Sequence, residues 1–158
     1  MAVDRELATY LKDHLAGSSG GVSLAKQMVD TARDREAEEM SRLADDIQAD
    51  QETLLTIMNR LEVPPSRIKM TGAWIGEKLG RGKLRASKPG GRVLQYESMI
   101  MGVTGKLGLW RTLDELAGKE PKLEEQELER LIGRAEDQRS RLENLHEQTV
   151  HALHERGG

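Results

Sequence analysis

The 158 residues contain no cysteine and no phenylalanine, and aromatic side chains make up only 3%. Without thiols there can be no disulfide, no thiol nucleophile and no thiolate metal site. Without Phe, the expected core formers are Leu, Ile, Val, Met and Ala. A chain rich in Ala, Leu, Glu, Lys and Arg points to helix. A basic excess is also missing. Lys and Arg number 24 against 27 Asp and Glu, a net charge of −3, so no global field of the kind that attracts nucleic acid exists. No uninterrupted apolar run approaches the ~18 residues of a membrane span. The opening "MAVDRELATYLKDH" carries acids and lacks the apolar region of a signal peptide. There is no repeat with a 20–50-residue period. These absences predict a cytoplasmic protein without a membrane span, with residues 1–158 forming a single domain.

What is present is helical periodicity. The first pattern is Leu7, Tyr10, Leu11, Leu15, Val22, Ala25, Met28, Val29 and Ala32. Inside it lies Gly17-Ser18-Ser19-Gly20-Gly21, a composition typical of linkers. Yet Leu7 and Ala25, Tyr10 and Met28, and Leu11 and Val29 form pairs separated by five turns at ~3.6 residues per turn. A linker has no reason to keep that phase. The spacing predicts one helix running through the glycines, whose role would be close packing of a neighbour. The second pattern, Met40, Ala44, Ile47, Gln51, Leu54, Met58 and Leu61, is a heptad seam stopped by Pro64-Pro65. A break near Arg33–Arg35 gives four long helices of matched length, at about 4–32, 36–62, 92–117 and 124–155. A shorter helix at about 66–82 falls in the long connection between the second and third. It carries Ile68, Ile75 and Leu79 on one side. The third helix has Tyr96, Ile100, Val103, Leu107 and Trp110 inward, and the fourth Leu128, Ile132, Ala135, Leu142, Thr149 and Leu153. The connection is long enough to cross the bundle, which permits an up-down-down-up order.

Three stretches in order, "YLKDHLAGSSGGVSLAKQM", "SRIKMTGAWIGEKLGRGKL" and "YESMIMGVTGKLGLWRTLDEL", resemble a small uncharacterised bacterial family of ferritin-like helical-bundle proteins. The resemblance spans about Tyr10 to Leu145. It implies a ferritin-like all-α bundle with a crossover helix and brings no established activity. The wider superfamily includes di-iron carboxylate proteins. Such a site takes a Glu from each of two helices and a Glu-x-x-His from each of the other two.

The chain has one Glu-x-x-His, Glu143 to His146. His146 falls on the apolar stripe with Leu142, and Glu97 of the third helix lies at about the same height. Glu97, Glu143 and His146 are therefore the candidate ligands for iron, manganese or zinc. The first helix offers Ala25, Lys26 and Met28 at that height. On the second helix Glu38, Asp45, Asp46 and Glu52 point away from the seam, with Asp50 marginal. Half the ligand positions are thus missing, and the simpler expectation is a Glu97–His146 hydrogen bond or ion pair with no cofactor. His14, counted from the turn near Arg33, sits level with Gln51 or Glu52, which predicts a His14–Gln51 polar layer that fixes register. His151 and His154 are expected to be solvated.

Two further signals stand out. Lys78, Arg81, Lys83, Arg85, Lys88 and Arg92 follow one another with no acid between. They could take a phosphate-bearing partner, although a solvated basic loop is the plainer expectation. The third helix carries Leu94, Met101, Leu109 and Leu116 outside its main stripe, beside Gly102, Gly105 and Gly108. That second face predicts a cover, either the crossover segment with Trp74 and Ile75 or a homodimer partner. No Ser-His-Asp or Cys-His set is present. The sequence reads first as a non-enzymatic structural or interaction protein. The alternatives are an atypical metal-binding carboxylate protein and an anion or nucleic-acid binder.

Overall fold

The computed structural model describes residues 3–66 and 89–155. Among these residues it is all-helical, with four long helices: α1 Arg5–Thr31, α2 Asp34–Arg60, α3 Pro89–Ala117 and α4 Glu125–Glu155. No described helix is long and apolar enough to cross a membrane. The short helix expected at 66–82, with Trp74 and Ile75, lies outside the described residues apart from Ser66.

α1 passes through Gly17–Gly21 without a break. It starts on Asp4, whose carboxylate accepts from the Glu6 amide and satisfies one orphan donor of the first turn. It ends because Ala32 and Arg33 are extended, and α2 begins at Asp34 in the left-handed region (φ 55°). α2 ends in a Schellman motif. Glu62 takes φ 60°, its amide donates to Asn59 and that of Val63 to Met58. Val63 and Met58 are both buried, the apolar contact that accompanies this cap. Pro64-Pro65 then cannot continue the helix. α3 begins three residues before the expected Arg92, at Pro89, whose missing N–H costs nothing in a first turn.

α1 packs closely on α2, α3 on α4, and α1 on α3, while α2 and α4 approach at only a few positions. Side-chain bonds give the heights. From α1 to α3, Tyr10 meets Thr112 and Met28 meets Arg92. From α2 to α3, Glu36 meets Arg92 and Asp50 meets Lys106. From α2 to α4, Arg60 meets Glu127 and Asp46 meets Arg141.

The core is two apolar clusters. One gathers Leu11, Leu54, Ile57, Leu107, Trp110, Leu113, Leu128 and Leu131. The other, at the α1–α2 turn end, gathers Val22, Ala25, Met28, Met40, Leu43, Tyr96, Met99 and Leu142. The stripes that the spacing suggests are buried at Met40, Ile47, Leu54, Met58 and Leu61 of the second pattern and at Leu128, Ala135 and Leu142 of the fourth, but the buried face is one column wider than each stripe. On α2, Leu43 and Ile57 are fully buried while Ala44 and Gln51 are half-buried. On α4, Leu131 and Leu145 are buried while Ile132, Thr149 and Leu153 are only half-buried. A helix face wide enough to bury two adjacent columns can be read from either column.

Candidate functional site

Between the two clusters lies a polar layer. On α2, Leu43, Asp50 and Ile57 recur every seven residues, and on α4 so do Leu131, Gln138 and Leu145. Each heptad therefore carries its middle residue, a polar one, into the core. Asp50 is 2% exposed and Gln138 is fully buried. α3 contributes Lys106, the single charge between Glu97 and Arg111, and α4 adds Arg134 one turn from Gln138. Lys106 donates to Asp50 Oδ2 at 2.5 Å and to Gln138 Oε1. Gln138 donates to the same Asp50 oxygen at 2.9 Å, and Arg134 takes Asp50 Oδ1. One carboxylate thus faces two cations. Burial pushes the Lys106 ammonium below its ordinary range, and Asp50 pulls back against it.

α1 closes this layer with its serines. Gln51 donates to both Ser18 Oγ and Ser19 Oγ at 2.9 Å, and Ser18 donates onward to the Leu15 carbonyl at 2.7 Å. The expected His14–Gln51 layer therefore needs correcting: Gln51 pairs with Ser18 and Ser19, one turn along α1. Helical side chains lean towards their own N-terminus. Gln51 leans towards the α1–α2 turn and His14 away from it, so residues whose Cα atoms are level reach apart. His14 instead meets Tyr10 edge-on at 4.6 Å, and burial pushes its imidazole below the ordinary range despite Asp13.

A second polar node ties α3 to the α1–α2 turn. Arg92, 9% exposed, donates to Glu36 Oε1 from Nε and Nη2 at 2.9 and 2.6 Å. It also reaches Thr31 Oγ1 at 2.6 Å and the Met28 carbonyl at 3.3 Å. The Tyr96 hydroxyl donates to the same Glu36 oxygen. Burial first, then Glu36, holds that phenol above its ordinary range. Arg92 is therefore a packed residue inside a helix and not the end of a solvated basic loop. Lys78, Arg81, Lys83, Arg85 and Lys88 lie outside the described residues.

The candidate metal ligands are only partly assembled. His146 Nε2 lies 3.4 Å from Glu97 Oε1. Glu143 instead faces Arg139 at 3.8 Å and is half exposed. Among the described residues, no three His, Asp or Glu side chains come together as a metal-holding group. Nor does the mid-bundle layer suit a di-metal centre. Its donors are one carboxylate, two amides and two hydroxyls, and its cations are already Lys106 and Arg134. Hard divalent ions need several anionic oxygens. Sequence reasoning passed over Lys106, Arg134 and Gln138. The available signals were a lone lysine in "SMIMGVTGKLGLW" and a glutamine at heptad spacing between two leucines.

On the outer face of α3, Leu109 is buried in the first cluster, while Leu94 and Met101 are 49% and 72% exposed. Among the described residues, a Cβ added at Gly17, Gly21, Gly102, Gly105 or Gly108 would meet no atom within 4 Å. Close packing of a described neighbour is therefore not the reason for these glycines. No family model, curated protein or solved structure matches the chain.

Proposed function

We propose that this chain is a ferritin-like, up-down-down-up four-helix bundle that acts as a non-enzymatic structural or interaction protein in the bacterial cytoplasm. In the ordered heights of the helix pairs, partner numbers rise together from α2 to α3 and run oppositely from α1 to α3 and α2 to α4. That supports the helix order. The observation that carries the functional reading is Lys106, whose ammonium is bonded to Asp50 and Gln138 in the middle of the bundle. Charge fixed to the chain neutralises the buried carboxylate there, leaving a metal ion nothing to do in that layer. Self-association through α3 belongs to the same reading, supported by exposed Leu94 and Met101. Sedimentation of the purified protein reads that state.

A second reading rests on Glu97 and His146, which do meet. With Glu143 turned towards them they would make an atypical iron, manganese or zinc site. Elemental analysis of protein purified without chelator separates the two. Metal well below one equivalent, unchanged in His146→Ala, is the expected result. One or more equivalents lost in His146→Ala would replace the first reading with the second. Anion binding through the basic segment is weakened, because Arg92 is committed to Glu36 and the Met28 carbonyl.

A further inference from the structure

The four edges of the bundle are held in different ways. Along α1–α3 the backbones are close, and the bridging bonds end on neutral groups: Tyr10 on Thr112, and Arg92 on Thr31 and the Met28 carbonyl. Along α2–α4 the backbones stand further apart, and long charged side chains span the seam. Arg141 bonds Glu39 and Asp46, Arg134 bonds Asp50, and Arg60 bonds Glu124 and Glu127. Beyond the end of α2, Lys122 bonds Glu62. In one half of this seam the acids are on α2 and the arginines on α4, and in the other half the signs reverse. An inverted helix would bring like charges together.

We infer that the α2–α4 seam is the opening edge of the bundle, an electrostatic latch that parts while the α1–α3 edge stays shut. Most of the latch is within reach of salt. The Arg141, Arg60 and Arg134 side chains are 23%, 27% and 36% exposed, and ion pairs that touch solvent weaken as the Debye length shrinks. The Asp50 centre is deeply shielded, and there the fully buried Gln138 also bonds Asp50 across the seam. Directly behind the latch lie Met40, Ile47, Leu54, Leu131 and Leu142 from the two apolar clusters, so parting this edge uncovers core. The opposite pair, α1 and α3, carries Gly17, Gly21, Gly102, Gly105 and Gly108, where a helix bends at least cost. This device is independent of whether a metal binds.

The lack of cysteine makes the test direct. Spin labels are attached to Gln48→Cys with Ser140→Cys across α2–α4, and in a second protein to Ser23→Cys with Ser98→Cys across α1–α3. All four positions are exposed. Between about 0.1 M and about 1 M NaCl, the α2–α4 distance distribution is expected to gain a longer component. The α1–α3 distribution and the helical circular dichroism should hold. Arg141→Gln and Arg60→Gln should each bring that component in at lower salt. An α2–α4 distance unchanged by salt in the unsubstituted background overturns the inference, whatever the variants do. So does lengthening of both pairs together, which is ordinary unfolding.

Discussion

At the scale of single residues, the physics of this protein is set by a few polar groups placed where a helix face would otherwise be apolar. His14 is one. Burial lowers its affinity for a proton, so as pH falls through the ordinary value of 6.5 the unfolded chain takes up a proton before the folded one does. Stability is therefore lost between 6.5 and the lower folded value, and regained as pH rises. In urea titrations the wild-type midpoint should drop over that window. The difference from His14→Leu should become constant above it, and a difference that is constant across the whole range would remove His14 from the account. The glycines are a second case. Gly17 and Gly21 are helical, none of the described glycines has positive φ, and both have open space around the missing Cβ. Gly17→Ala and Gly21→Ala should each stabilise by about 1 kcal/mol, seen as higher melting temperatures. A loss instead would show that the space is filled.

At the scale of elements, the helices were legible and most of their partners were not, although the Glu97–His146 pair was. The five-turn phase across Gly17–Gly21 and the break near Arg33 follow from local spacing. The full inward face follows only in part: spacing marks Met40, Ile47, Leu54 and Met58, which are buried, but passes over the adjacent buried column of Leu43, Asp50 and Ile57. Asp50 also couples three helices. Asp50→Leu would leave Lys106 and Arg134 facing each other without their carboxylate. That should cost about 3–5 kcal/mol, as removal of one partner from a buried pair does. Asp50→Leu combined with Lys106→Met removes both buried charges and leaves Arg134 free to turn to solvent. It should cost much less than Asp50→Leu alone, because apolar replacement of a whole buried pair is often close to neutral. Denaturant midpoints for the double-mutant cycle give that comparison, and additive losses would mean that the two charges do not act as a unit.

At the scale of the whole molecule, two apolar clusters meet at a charged waist, and one edge of the bundle is closed by ion pairs. This division bears on function more than any isolated motif does. The lone Glu-x-x-His has a known chemistry, yet among the described residues His146 meets Glu97 while Glu143 turns to Arg139. Asp50, Lys106 and Gln138 match no motif and form the centre. The sequence by itself determined that the described residues form four long helices and that the glycine run belongs inside the first. Those properties depend on spacing within a few turns, which periodicity records. Only the tertiary structure decided which charges meet. Arg141 finds Glu39, Lys106 finds Asp50 and Arg92 finds Glu36 across large sequence separations, and those meetings depend on helix stagger and on the lean of each side chain. The lean follows from helix geometry, but the stagger is set by packing between helices and leaves little mark in the order of the residues.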